Sequence, residues 1–321
     1  MRPPISSIAT SKCHRSNAKA PPRRGAALPR PGDRSIAFAL VLLVIAVNPV
    51  AAENRASLLP QLRQGQTLTY QIRLRVDKHI RSQSRIATPP SSGLAPVDTL
   101  RTIRIDVVDV AAGNPRAKLV LRAQIQDSAA ISSTAKSFEF AIHSDGSVIP
   151  PKEIDELSPE DADAWRAWIA RFAIAWTVPE KGAKLGDKWF AEENIPGLPL
   201  AELSWQKESQ YVRDEPCPVA QFPGERCAVV LTTATIKQRS SPKDATPSDY
   251  KSRQLKTMGT AKGRNEMFTY ISLASGLVVR SSEDATQSMD VLIAKSDGSN
   301  EVHYYVEAKS STQMLFALPS P

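Results

Sequence analysis

One predicted helix, residues 158–176, lies in a chain that is otherwise patterned for strands. Ser158 is a suitable N-cap, and Pro159 suits the first helical position because its missing N–H costs nothing there. Large apolar side chains then recur every three or four residues, which places them on one face of the helix. This aromatic stripe consists of Trp165, Trp168, Ile169, Phe172 and Trp176. The residues off the stripe are Arg166, Ala167, Ala170 and Arg171.

The size of the stripe constrains its environment. Burial of one large apolar side chain stabilises a fold by roughly 1.5–3 kcal/mol, so five contribute about 10 kcal/mol, comparable with the stability of a whole domain. One interpretation is that the stripe is filled core between the helix and a sheet. The other is that the sheet covers the stripe incompletely and leaves an apolar cavity for a lipid or similar ligand. On that second interpretation the five stripe residues are candidate ligand-binding residues.

Period-two alternation predicts strands over most of the remaining chain. The clearest run has Leu68, Tyr70, Ile72, Leu74 and Val76 on one face. In the next run the apolar parity changes at residues 107–108, which predicts a β-bulge there. Residues 138–149 and 268–279 share a hairpin pattern, which generic hairpins also produce.

These patterns predict a mainly β, α+β fold. We expect a curved antiparallel sheet, or sheets, or a half-barrel, packed on the one central amphipathic helix. Residues 53–321 are predicted to form a single large β-rich domain. As an alternative, residues 53–150 and 186–321 are two similar halves joined by the helical region 151–185.

The first 52 residues have the pattern of a secretory signal with a long basic front end. Residues 36–47 are apolar and uncharged, Pro49 ends this run, and cleavage is expected after Ala52. We therefore predict an exported protein of the periplasm or extracellular space. The alternative is an anchor formed by residues 35–52, although the apolar run is shorter than the ~20 residues of a spanning helix.

Removal of the signal changes the charge of the chain. The full sequence has a formal net charge of +8, but residues 1–52 carry eight basic side chains and one acidic one. The mature chain is then near neutral, at +1. The charge balance therefore argues against a nucleic-acid partner.

The mature chain contains two cysteines, Cys217 and Cys227, separated by a segment rich in turn formers. In an oxidising compartment, such a pair predicts a disulfide bond. Neither cysteine has a neighbouring His or Cys pair, so a metal site is not expected.

No catalytic signature stands out, and we expect a non-enzymatic protein without a cofactor. The histidines of the mature chain show no metal-binding spacing, and neither a nucleophile elbow nor a phosphate loop is present. Three Ser-x-x-Lys matches begin at Ser133, Ser204 and Ser240. Acylating enzymes place such a serine at the start of a helix, whereas these three fall in strand or loop patterns.

The layout resembles that of uncharacterised exported bacterial β-rich proteins and, more distantly, the lipoprotein-carrier (LolA-like) fold class. The features that carry the resemblance are the signal segment, the aromatic-faced helix and the Gly-Asp-Lys-Trp sequence at residues 186–189. The resemblance implies a sheet wrapped around helices with an apolar cavity between them. We expect a lipid or other apolar small molecule as the ligand. The alternative is a structural or protein-interaction module of the cell envelope, with an envelope protein as partner and no cavity; membrane contact is expected only through an uncleaved signal segment.

Overall fold

The structure is a computed structural model, and its described residues all belong to one compact unit, Val50–Pro321. The predicted signal segment, residues 1–52, lies outside the described residues. The described ranges are 55–84, 92–93, 95–110, 118–127, 136–143, 146–149, 151–195, 198–219 and 222–317.

Strands dominate the described chain. They are β1 (Thr67–Ser84), β2 (Ser92–Gly93), β3 (Val97–Val110), β4 (Leu119–Asp127), β5 (Lys136–Ile142), β6 (Val148–Ile149), β7 (Lys188–Asn194), β8 (Leu203–Pro216), β9 (Arg226–Gln238), β10 (Leu255–Ser272), β11 (Val278–Lys295) and β12 (Val302–Ala317). The helices are a 3₁₀ turn (Lys152–Glu156), α1 (Pro159–Phe172), α2 (Ile174–Thr177) and α3 (Ser248–Ser252).

All of these strands belong to one open antiparallel sheet. Their order is β6-β5-β4-β3-β1-β12-β11-β10-β9-β8-β7, and the short β2 pairs with β1 beside this path. Chain neighbours pair as hairpins within each of two meanders, which is the usual behaviour of consecutive strands. The helical region connects the two outer edges, and the pairing of β1 with β12 joins the meanders at the centre. The prediction of a mainly β fold with an antiparallel sheet is confirmed.

The sheet curves around the helix. Phe140 on β5 lies against Trp168, with ring centroids 5.9 Å apart. Trp189 on β7 donates its indole N–H to the Thr177 hydroxyl at 3.0 Å. In a flat sheet, these strands would be nine spacings, or about 43 Å, apart. Their contact points are only about 14 Å apart along the helix, so the sheet has to bend.

The helix begins as predicted. The Ser158 hydroxyl accepts a hydrogen bond from the Asp161 backbone N–H at 3.1 Å, which confirms its N-cap role. The predicted single helix is interrupted at Ala173, where α1 gives way to the one-turn α2. Val178 then returns to an extended conformation ahead of Pro179, which has no N–H to continue the helix.

Two local predictions in the sheet are confirmed. The β3–β4 pairing shifts register between Val107 and Asp109, which places the predicted bulge at residue 108. Cys217 and Cys227 form a disulfide bond at the loop end of the β8–β9 hairpin, with Cα atoms 5.0 Å apart. Within the described ranges, no helix is both long and apolar enough to cross a lipid bilayer.

Candidate functional site

The aromatic stripe is packed against the inner face of the sheet. Its exposed fractions are low: Trp165 4%, Trp168 0%, Ile169 8%, Phe172 0% and Trp176 5%. Phe140 makes edge-to-face contacts with Trp165 and Trp168, and Phe172 stacks on Trp168 with centroids 4.7 Å apart. The structure therefore brings all five predicted site residues together as core, and their role in ligand binding remains a prediction.

Several hydrogen-bonding groups in this core lack a partner in the described structure. They are the Tyr70 hydroxyl and the indole nitrogens of Trp165, Trp168 and Trp176. Burial raises the pKa of Tyr70, so its hydroxyl stays neutral. Edge-to-face ring contacts surround Trp165 and Trp168, and in such contacts an N–H can meet an aromatic face.

Beyond the helix, the inner face of the sheet becomes accessible. Along β1, the inward-facing Leu68, Tyr70 and Ile72 are at most 1% exposed. Leu74 and Val76 continue the same inward parity but are only half-buried. Val97, which pairs with Val76, is 45% exposed. The helix thus covers only one end of the inner face.

Small side chains recur along this part of the inner face, and two of them are themselves buried: Ala234 is 2% exposed and Ala285 is 7% exposed. One row of paired inward positions crosses eight strands and holds mostly small residues. In sheet order it is Ala191, Lys207, Ala234, Asn265, Ala285, Ser310, Val76 and Val97. Farther along β12, Ala308 and Val306 also face inward. We refer to this inward-facing surface as the trough. It comprises the row, which ends at Val97, together with Leu74 on β1 and with Ala308 and Val306 on β12.

A second core cluster lies at the other end of the strands from the stripe. Leu200, Leu203 and Val291 are each at most 2% exposed, and Ala245 packs with them. Beside this cluster, Trp205 and Ile236 lie across Gly263. A Cβ added at Gly263 would be 2.9 Å from the Trp205 ring and 2.6 Å from Ile236 Cδ1.

A buried ionic cluster lies where the helix meets the trough. Arg171 is 2% exposed, donates Nη1–H to the Ala167 carbonyl at 2.5 Å and donates Nη2–H to Glu283 on β11. The other oxygen of Glu283 accepts from the Asn265 amide. Burial lowers the pKa of Arg171, and the Glu283 carboxylate opposes that shift. Arg171 Nε and Asn265 Oδ1 have no partner among the described residues.

Sequence reasoning missed this cluster. Arg171 lies off the aromatic stripe, so the pattern placed it outside the buried face, whereas the structure buries it. Its partner Glu283 lies 112 residues away, on a strand whose local pattern contains no signal for such a pair.

The outer face of the sheet is polar by comparison. A pocket of about 650 Å³ is lined by outward-facing residues of β1, β3, β10, β11 and β12 together with Val76, Val97, Ala285 and Ser310 of the row. At its rim, Arg73 and then Arg75 hydrogen-bond to Asp98 and lower the pKa of that carboxyl to about 2. Val76 and Val97 therefore contribute apolar surface to this pocket as well as to the row on the inner face.

The structure describes two of the three serines in the Ser-x-x-Lys matches, and each of those two donates its hydroxyl hydrogen to an acceptor outside its match. Ser133 lies outside the described residues. Ser204 donates to Glu192 at 2.6 Å, and Ser240 donates to the Ala201 carbonyl at 2.7 Å. In the described part of the chain, no group of three or more His, Cys, Asp or Glu residues could hold a metal ion.

Comparisons with known proteins give no family. No protein-family model and no curated protein matches the chain. One solved structure, described as a conserved protein of unknown function with hot dog fold from Alicyclobacillus acidocaldarius, aligns with 81% of this chain and 82% of its own. The identity is 9% and the TM-score is 0.12. A similarity at that level carries no argument about function.

Proposed function

We propose that this protein is an exported, non-enzymatic binder of an apolar ligand chain, which it holds along the trough. The observation that carries the proposal is the apolar surface left accessible beside the helix, above all at Leu74, Val76 and Val97. Soluble proteins seldom leave a contiguous apolar surface open unless it binds something. A concave surface lined by apolar groups with a few polar ones is the usual form of a small-molecule site.

The composition of the trough favours a flexible chain as its occupant. Ala308 is half-buried and has a small side chain, so a ligand can lie close to the backbone of β12 there. From β8 to β12 and at β1 the trough crosses strands that are hydrogen-bonded on both sides, where no partner strand could add; among the described residues only its two ends, Ala191 on β7 and Val97 on β3, are paired on one side. Apolar contact is then the main attraction, and an acyl chain fits that requirement.

The proposed ligand-binding surface, the trough, differs from the cavity between helix and sheet that the sequence led us to expect. In this proposal the stripe residues are buried core beside the trough, and the ligand lies along the trough instead of in a cavity beneath the helix. The resemblance to lipoprotein carriers, in which a curved sheet wraps helices around an apolar cavity, is kept as part of this proposal. The Cys217–Cys227 disulfide supports an exported location.

Displacement of a fluorescent apolar probe tests the proposal. Residues 53–321 would be purified, stripped of lipid and titrated with N-phenyl-1-naphthylamine, which we expect to be displaced by dodecanol. In Ala308→Phe, a ring enters the trough, and we expect probe affinity to fall at least about tenfold. The matched control is Thr286→Phe, because Thr286 is exposed on the outer face. Absence of probe binding by the wild type, or equal losses in the two variants, would refute the proposal in favour of a structural or protein-interaction module.

A further inference from the structure

The strand β7 forms one edge of the sheet, and β8 is its only strand partner among the described residues. The backbone bonds that flank this pairing run from Ile195 N–H to the Leu203 carbonyl and from Tyr211 N–H to the Asp187 carbonyl. Hydrogen-bonded and non-hydrogen-bonded pairs alternate along an antiparallel ladder, so the odd-numbered residues of β7 bond to β8. The N–H and C=O groups of its even-numbered residues therefore point to the free edge.

The even-numbered residues of β7 also carry a self-complementary set of side chains. Phe190 is 74% exposed, more than any other large apolar side chain in the described ranges. Lys188 and Glu192 are exposed two residues before and after it, on the same face of the strand. In an antiparallel pair of β7 strands with the two Phe190 residues opposite each other, Lys188 of each chain faces Glu192 of the other. Because all three positions are even-numbered, this register also brings the outward-pointing backbone groups together.

We propose that the protein forms a twofold dimer through β7, in which the sheets of two copies join edge to edge with Phe190 at the twofold axis. Each of the three facing pairs then exchanges two backbone hydrogen bonds. The same surface serves both copies, as a twofold interface requires. This inference is independent of any ligand in the trough.

The charge pattern of β7 favours a second copy as the partner. Charged side chains often protect a sheet edge, but protection against self-pairing needs like charges to meet. Here opposite charges meet. Lys188 Nζ already donates to Glu208 at 2.7 Å, and Glu192 accepts from Arg239 at 2.6 Å. An ammonium has three donors and a carboxylate has several acceptor sites, so each can take a further partner.

Sedimentation equilibrium of the mature protein measures the dimer directly. Because the interface is one strand wide, we expect a dissociation constant of about 1–100 µM. Lys188→Glu alone and Glu192→Lys alone should each raise that constant at least about tenfold, since like charges then face each other twice. An equimolar mixture of the two variants should dimerise about as tightly as the wild type, because carboxylates of one chain then face ammonium groups of the other.

Oxidative cross-linking tests the register with substitutions at exposed positions. In Phe190→Cys, the two sulfur-bearing residues face each other with Cα atoms about 5.5 Å apart, which is within the range for a disulfide. In the matched control Glu192→Cys, they lie about 13 Å apart along the strands and should not cross-link. Circular dichroism would check that every variant folds, and the cross-linking result stands even if a charge variant does not.

Three results would each overturn the inference. The first is a wild type that stays monomeric up to about ten times the highest constant expected. The second is a mixture of the two charge variants that dimerises no better than either variant alone. The third is cross-linking that is equal in Phe190→Cys and Glu192→Cys. None of these results bears on the proposed binding of an apolar ligand.

Discussion

The Arg171–Glu283 pair provides the sharpest test of how the helix is held on the sheet. The two side chains differ in access to water, with 2% of the arginine and 18% of the glutamate side chain exposed. Replacement of one partner in a buried pair is costly because it leaves the other charge uncompensated. Glu283→Leu should therefore lower the free energy of unfolding by about 3–5 kcal/mol, since the guanidinium has no route to water.

The reverse replacement should cost less. In Arg171→Met, Glu283 keeps its hydrogen bond from Asn265 and part of its access to solvent, so we expect a loss of about 1–3 kcal/mol. The double variant Arg171→Met/Glu283→Leu removes both charges, and its stability should lie within about 1–2 kcal/mol of the wild type. The two substitutions should thus be strongly non-additive.

Urea unfolding followed by tryptophan fluorescence measures all four proteins. Three of the five tryptophans lie on the helical segment, so the signal reports its environment directly. The exposed pair Arg122–Glu139 is the control, with side chains 46% and 50% exposed, and Arg122→Met should cost less than about 1 kcal/mol. The reasoning is refuted if Glu283→Leu costs no more than that control, or if the two single losses simply add in the double variant.

Three further predictions concern local structure. Ser158→Ala should lower the unfolding free energy by about 1 kcal/mol through loss of the N-cap, whereas Ser158→Asp should retain it; denaturant midpoints give the comparison. Gly276→Ala should destabilise more than Gly298→Ala. Both glycines have positive φ, but a Cβ at position 276 would be 2.0 Å from a backbone carbonyl oxygen, whereas nothing lies within 4 Å at position 298; equal melting temperatures would contradict this. Joint replacement of Cys217 and Cys227 by Ala should cost about 3 kcal/mol by the loop-entropy estimate, and an unchanged urea midpoint would show that the bridge does not constrain the unfolded chain.

The candidate site was only partly accessible to sequence reasoning. The aromatic stripe was found because Trp165, Trp168 and Phe172 follow the helical period, and that period is a local property. The trough was not found, because an inward-facing alanine reads the same in sequence whether a helix covers it or not. Arg171 was misplaced for a related reason: helical periodicity assigns it to the polar side, and only contact with the sheet buries it.

The sequence by itself determined the local elements of this protein. The N-cap, the helix, the alternating strands, the bulge near residue 108 and the disulfide each follow from residues close together in the chain. The tertiary structure alone decided the strand order, the curvature, the part of the inner face that the helix leaves open, and the meeting of Arg171 with Glu283. These depend on pairings such as Ile72 with Met314, on strands near opposite ends of the described chain. Such contacts form only when strands distant in the chain assemble into the one open sheet around the helix, so no local pattern encodes them.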